Sequence, residues 1–434
     1  MTVTTATSRI ILVVGGGISG MTAALEAAEC GQQVLLVDKA PSLGGRTAQL
    51  YRYFPKMCHP SCGLEINLKR LRNNPRVRVM TMTEVVSVSG RRGDYQVKLK
   101  VKPRYVNENC TACGKCGEAV SSEIPDAFNY GLAKVKAAYL PHLMAYPQRF
   151  VIDASIVNTA EGEQAKAACP VGAVDLGMQE EMLELNVGAI VWATGWRPYD
   201  ANKIQPYGYD RYPNVITSVE FERLADPRGP TGGQLLRPSD GKAAKNIAFI
   251  QCAGSRDENY LRHCSRICCM ASLKQTQYVR EAGGDGKSTV YYIDIRAIDR
   301  FEDFYQMVQA DTTVSFVKSK VARVALNESN GNPILHGVDT EGYHRYANEH
   351  DLVVLAIGME PEIAGLLGNG LAADIVLDSS NFIEGCAGAI VDAGMFAAGA
   401  ASSPLDVNRS VQSATAAALK VIQIVNKVAA TEVA

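Results

Sequence analysis

Ile10-Ile-Leu-Val-Val-Gly15-Gly-Gly17-Ile-Ser-Gly20-Met-Thr-Ala-Ala is the stretch whose reading decides the fold. Five apolar residues in a row read as a buried parallel strand, and glycines at 15, 17 and 20 fit the turn into a helix running to about Cys30. Val34-Leu-Leu-Val-Asp38 then reads as a second strand closed by an acid. Gly15 makes the tight turn, Gly17 lets a pyrophosphate approach the backbone, and Gly20 lets helix and strand pack closely. The phosphates would rest on the unpaired N–H groups at the helix start, around Ile18 and Ser19, where the helix dipole favours negative charge. The Asp38 carboxylate can accept hydrogen bonds from a ribose diol. Strand, glycines, helix, strand and acid in one βαβ unit mark a dinucleotide site; the alternative is a glycine-rich turn with no ligand.

Outward from this unit, Lys39-Ala-Pro-Ser-Leu-Gly44-Gly45-Arg46 is a loop whose glycines again permit close approach of a ligand, with an ordinary turn as the alternative. Residues 64–72 read as a short helix, and 77–80, 84–88 and 95–101 as strands that continue the nucleotide domain. At Pro103 the texture changes to an irregular, charged segment reaching about residue 178. An apolar strand then returns at Val187-Gly-Ala-Ile-Val-Trp-Ala193-Thr194-Gly195, so the segment between reads as an insertion. Asn246-Ile-Ala-Phe-Ile-Gln-Cys252, residues 289–294 and residues 351–358 repeat the strand order of a second nucleotide domain. Its first turn holds Cys252-Ala-Gly-Ser-Arg-Asp257 where a phosphate-binding glycine fingerprint belongs, so no nicotinamide dinucleotide is expected there. A final strand at 389–399 and an amphipathic helix from Val407 to about Val425, capped by Asp406, complete the chain.

The chain has 434 residues, enough for two or three domains, and 47% hydrophobic residues support real cores. A net charge of −1 gives no argument for nucleic acid or an anionic membrane surface. The first residues lack a basic start followed by an apolar core, and no uninterrupted apolar run long enough for a membrane span appears, so a cytoplasmic setting is expected. There, structural disulfides are disfavoured, and the 12 cysteines point to metal binding or redox chemistry.

Cys110-x2-Cys113-x2-Cys116 with a remote Cys169-Pro170 matches the ferredoxin pattern, three thiolates from one tight loop and a fourth before proline. Zinc and a redox dithiol at Cys110 and Cys113 are the competing readings. A second C-x2-C-x2-C run does not precede Cys169, so the module should hold one cluster at most. Cys252, Cys264, Cys268 and Cys269 form a second set, with Arg256, Arg262, His263 and Arg266 nearby to offset thiolate charge. It reads as a cluster site, or else as a buried cysteine-rich turn filling a vacated nicotinamide pocket. Cys58-His-Pro-Ser-Cys62 admits a redox disulfide, a cluster-ligand role or plain structural thiols, and Cys30 and Cys386 read as core residues.

The residues together resemble one family, the A-type flavin subunit of heterodisulfide reductase (HdrA-like), including its shorter versions in sulfur-oxidising bacteria. The markers are the 15–20 turn, Leu43-Gly-Gly-Arg46, Cys110-Thr-Ala-Cys-Gly-Lys-Cys116, Gln251 to Asp257, His263 to Met270, and Phe396-Ala-Ala-Gly-Ala-Ala-Ser-Ser-Pro404. The resemblance implies an α/β, thioredoxin-reductase-like flavoprotein with two dinucleotide-binding domains and an inserted ferredoxin-like module. It also implies FAD, [4Fe–4S] clusters, a homodimer, and B- and C-type partner subunits that carry the disulfide chemistry. FAD would lie against Gly15, Gly17, Ile18, Ser19, Gly20, Asp38, Lys39, Gly45, Arg46, Val85, Ala193, Thr194, Gly195, Gly399 and Ala400, with the helix after Pro404 aimed at the ring's pyrimidine end. The FAD domain is expected at 1–103, 179–244 and 385–434, the module at 104–178 and the second Rossmann-like domain at 245–384. The longer relatives' extra N-terminal domain and C-terminal two-cluster ferredoxin are not expected here, which favours the sulfur-oxidising branch over the bifurcating methanogen type. A self-sufficient NAD(P)H disulfide reductase using Cys58 and Cys62, or a flavin-binding scaffold without chemistry, are the rivals. No general acid or base stands out.

Overall fold

The computed structural model describes residues 9–363, 375–384 and 394–433. It divides into two compact units. Met1–Ala48, Ser61–Trp196 and Pro361–Ala434 form one, and Gln49–Pro60 with Arg197–Glu360 the other.

In the first unit five parallel strands lie in the order Met395–Ala397, Ala189–Trp192, Ile10–Val14, Gln33–Asp38, Val77–Thr81. The quoted strand sits at the centre. Ile11 and Val13 pack against the helices Ile18–Glu29 and Val407–Val433 through residues such as Ala24, Leu25, Ala417 and Val421. Leu12 points the other way, into a cluster with Val97 and Leu99 of an antiparallel sheet built from Thr83–Arg91, Asp94–Val101 and Glu181–Val187. A strand covered on both faces needs apolar residues at every position, which is why its sequence is an unbroken run. Val187 ends the antiparallel strand, so the parallel one begins two residues later than the pattern suggested.

Residues 104–178 hold only short elements, the hairpin Glu123–Pro125 with Lys134–Lys136, the pair Ala138–Tyr139 with Val151–Ile152, and the helices Lys115–Glu118 and Ala160–Ala167. They close around their own small core of Val106, Cys116, Val120, Phe150, Ile152 and Val174. Buried Arg104 fastens the module's first residues, donating to the carbonyls of Arg149 and Pro41 and to Thr81 Oγ1, and burial brings its pKa down to about 10.

The second unit carries a parallel sheet in the order Val215–Thr217, Leu352–Ile357, Asn246–Ala253, Lys287–Tyr292, Val314–Lys318, with the helix Cys268–Glu281 after the strand Asn246–Ala253. An antiparallel sheet of Arg323–Leu326, Pro333–Asp339 and His344–Glu349 belongs to the same unit. This unit starts at Arg197, where the sequence pattern suggested 245, and it recruits Gln49–Pro60. Val215–Thr217 is too short a strand to show a period. The 49–60 loop is tied in by contacts remote in sequence: Tyr51 N donates to Glu222 Oε2 at 3.0 Å, Lys274 Nζ to Arg52 O at 2.7 Å, and Arg223 to Gln49 O at 3.1 Å.

Two further expectations need correction or fall outside. The last helix runs on to Val433, and Cys30, expected in the core, is exposed as the C-cap of the first helix, because a chain leaving a helix end turns into solvent. Cys386 and residues 389–393 lie outside the described residues. Among those described, no helix is long and apolar enough to cross a membrane.

Candidate functional site

The glycine turn has three distinct environments. Gly15 has φ +106°, and a Cβ there would stand 2.2 Å from Ala193 O; on Gly20 a Cβ would stand 1.7 Å from Gly15 O. Both positions therefore exclude side chains because backbone approaches them directly. Over Gly17 the nearest atom to an added Cβ is Gly45 Cα at 3.9 Å, which leaves the backbone open on that side. The Gly44 N–H donates to Gly16 O at 2.9 Å, so the Leu43–Arg46 loop lies along the turn.

Asp38 accepts from the N–H groups of Gly16 and Ala40, the latter at 2.7 Å. Burial raises its pKa while those two backbone donors pull it down. Two bonds leave lone-pair capacity on the carboxylate for a diol. Ala193, Thr194 and Gly195 follow the strand Ala189–Trp192, Gly195 at φ +75°, and the buried Thr194 Oγ1 has no hydrogen-bond partner. Gly399, at φ +65°, packs so closely on Ser19 that a Cβ would lie 2.0 Å from its Oγ, and its N–H donates to Ser413 Oγ at 3.1 Å. Ala400 beside it is buried. Asp406 caps the last helix by accepting from Arg409 N at 3.0 Å. An open glycine floor, an orphaned hydroxyl and a helix start fit a dinucleotide. Lys39 is mostly exposed and paired with Glu362 at 3.2 Å, and the Val85 side chain lies in the apolar cluster with Leu12.

In the module, Cys110, Cys116 and Cys169 are mutual neighbours. Burial, reinforced by Cys110 and Cys169, pushes the Cys116 thiol up to about 11. Cys110 Sγ accepts from Ala112 N at 3.4 Å and Cys169 Sγ from Ala173 N at 3.2 Å. Burial would raise the Cys169 thiol, but the N–H groups of Ala173, Val171, Val174 and Gly172 outweigh it and hold it low. Ala112 and Gly114, at φ +55° and +86°, bend the loop back on itself. Cys113 on that loop is exposed.

In the second unit Cys252, Cys264, Cys268 and Cys269 line one small cavity together with Arg256, Arg266 and Asp294. Cys252 and Arg266 hold positive φ, +54° and +64°, turning the chain around it. Cys268 and Cys269 both fit because they open the helix Cys268–Glu281, where successive side chains fan out before the helix face is established. Burial raises both thiols, Cys269 to about 11, and raises Cys252 against the pull of Arg256. A bound cation would favour the thiolate forms instead. Behind them Ser265 Oγ accepts from Met359 N at 2.8 Å and pairs with Ser255 Oγ at 2.9 Å. These serines lie within the marker stretches Gln251–Asp257 and His263–Met270, but nothing in the sequence assigned them this supporting bond. Among the described residues no three His, Cys, Asp or Glu side chains converge at the spacing of a single ion's shell. Cys58 and Cys62 are exposed free thiols.

Residues 11–101 match the family model for FAD-dependent oxidoreductases. The structure is similar to thioredoxin reductase of T. acidophilum, with a TM-score of 0.53 at 14% identity over 96% of this chain and 98% of that one, and to that of Lactococcus lactis, with a TM-score of 0.52 at 12% identity over 96% and 99%. The fold is that of the two-domain thioredoxin reductases. In sequence it is 40% identical over 353 residues to the second A-type iron-sulfur subunit of CoB–CoM heterodisulfide reductase from Methanopyrus kandleri, covering 81% of this chain and 54% of that protein. It is 38% identical over 374 residues to the A-type iron-sulfur subunit of CoB–CoM heterodisulfide reductase from Methanocaldococcus jannaschii, covering 84% and 56%. The chain belongs to this A-type heterodisulfide reductase family and spans about half the length of the curated relatives it matches.

Proposed function

We propose that this chain is the FAD- and [4Fe–4S]-containing electron-transfer subunit of a heterodisulfide-reductase-like complex. It works as a homodimer with B- and C-type partner subunits, in cytoplasmic sulfur oxidation. The observation that carries the reading is the cavity of four cysteines at the first turn of the second unit, where a nicotinamide-binding domain keeps glycines. A cubane spreads its thiolates over four separate iron corners, so its ligands stand farther apart than those of one zinc ion. Four cysteines lining one cavity support the cluster. Cys110, Cys113, Cys116 and Cys169 would hold a second one. The flavin supplies exchange between two-electron and one-electron chemistry, and the protein supplies position and electrostatics. The glycine turn, Asp38, Thr194 and the start of the last helix would hold it.

Iron and labile sulfide per flavin, measured on anaerobically purified protein with EPR of the reduced form, test this. About eight irons per FAD, falling by half in Cys113→Ala and in Cys268→Ala, are expected. Flavin without iron would overturn the reading and favour a disulfide reductase, which bleaching of NAD(P)H would then reveal.

A further inference from the structure

Arg46 is one of the side chains through which the inserted module meets the loop that borders Gly17. Its Nε donates to Trp196 O at 3.3 Å and its Nη1 to Tyr130 Oη at 3.2 Å. Its guanidinium carbon stands 5.6 Å from the centre of the Tyr130 ring and 5.8 Å from that of Trp196. Arg46 is thus held between two aromatic faces. Trp196 belongs to the stretch that follows Thr194, and Tyr130 to the module.

The backbone around Tyr130 is built to hold it there. Tyr130 has φ +54°, a conformation disfavoured for a bulky residue. The turn that imposes it is locked by buried Asp126, which accepts from Phe128 N at 2.9 Å and from Asn129 Nδ2 at 2.6 Å, while Gly131 N closes on Asp126 O at 2.8 Å. A second contact runs parallel. Phe128 stacks on His142 at 4.7 Å, and His142 Nε2 lies 3.1 Å from Ser42 Oγ, four residues before Arg46. The module therefore grips the 42–46 loop at both ends, and that loop is the wall opposite the open face of Gly17.

We infer that Tyr130 is a positioning residue for the flavin site: it fixes Arg46, and through Arg46 the loop Leu43–Arg46, in the posture that holds the dinucleotide. The inserted module is then part of the flavin-binding apparatus as well as a carrier of cysteines. The inference rests on the reading of the glycine turn as the flavin site.

The test measures FAD affinity, with the visible circular dichroism of bound flavin, on the full chain. Tyr130→Ala should weaken FAD binding about tenfold and change the flavin dichroism, with the module's iron retained, whereas Tyr130→Phe, which keeps the ring, should return affinity to within about twofold of the parent. In the double variant Arg46→Lys with Tyr130→Ala the loss should equal the larger single loss, since both act through one contact. Affinity and dichroism unmoved by Tyr130→Ala, or additive losses in the double variant, would overturn the inference. Should alanine cost the module its iron, Tyr130→Leu, which fills the space without a π face, is read against the same threshold. Gly17→Val separates the underlying reading: FAD retained in that variant sinks the flavin site itself, whereas FAD lost there beside an unmoved Tyr130→Ala sinks only the positioning role.

Discussion

The two units run the same strand, turn, helix, strand sequence through opposite chemistry. In the first, the turn after Ile10–Val14 is defined by what is missing: Gly15 and Gly20 touch backbone that would overlap any side chain, and Gly17 is bare. In the second, the turn after Asn246–Ala253 is defined by what is present, four thiols, two serines and three arginines around a cavity. The first holds its helix by backbone proximity. The second holds Cys268–Glu281 by buried polar contacts, Lys274 with Glu222 at 2.8 Å, Gln275 with Glu222 at 2.6 Å and Tyr278 with Glu222 at 3.0 Å. One topology thus carries two different linings at the same turn, bare backbone in the first unit and thiols in the second.

The largest way to break this contrast is Gly20→Val. With a Cβ 1.7 Å from Gly15 O, the expected result is loss of flavin and a destabilisation on the order of 4 kcal/mol in urea unfolding of the first unit. In the second unit the comparable blow is electrostatic. Glu222→Ala strands Lys274, whose ammonium burial already disfavours, and should cost about 3–5 kcal/mol; Glu222→Gln combined with Lys274→Met should recover most of it.

Acid should sharpen the difference. His350, buried between Tyr291 and Asn246, accepts or donates at 2.9 Å to each, and burial lowers its pKa to about 4. A depressed imidazole binds its proton more readily when unfolded, so its contribution is full above the unfolded value near 6.5 and shrinks as pH falls towards 4. Between pH 7 and 5 the second unit should lose about 2 kcal/mol, and His350→Gln should flatten that slope. The smallest effect is Thr217→Ala. Its hydroxyl and Glu220 form a capping box at the helix Ser218–Ala225, and losing it should cost about 1 kcal/mol by the same melts with the iron content unchanged.

What could be read from the chain alone followed from local rules. The apolar run 10–14, the glycine spacing and Asp38 announce a βαβ unit because each is demanded by backbone contact within about thirty residues. The second nucleotide-domain-like unit followed from the same strand order repeated, and the thioredoxin-reductase-like flavoprotein fold from the family resemblance. The recruitment of Gln49–Pro60 was invisible, since it depends on Glu222 and Lys274, some 170 to 220 residues away, and polar residues in a helix carry no sign that they are buried. Tyr130 was invisible for the same reason: 84 residues separate it from Arg46, and a tyrosine in an irregular loop has no period. Cys30 misled because free cysteine is so often buried that a helix end was read as core.

Ser19 touches Gly399, and the last helix starts at Val407, so the cradle draws on both ends of the chain. During synthesis the glycine turn emerges early, yet its far wall arrives some 380 residues afterwards. At ribosomal speeds of about 5–20 residues per second this is a wait of roughly 20–75 s. Throughout that interval the glycine turn stands without the residues that pack on Ser19, so a dinucleotide held as proposed would have to wait for Gly399 and the helix that follows.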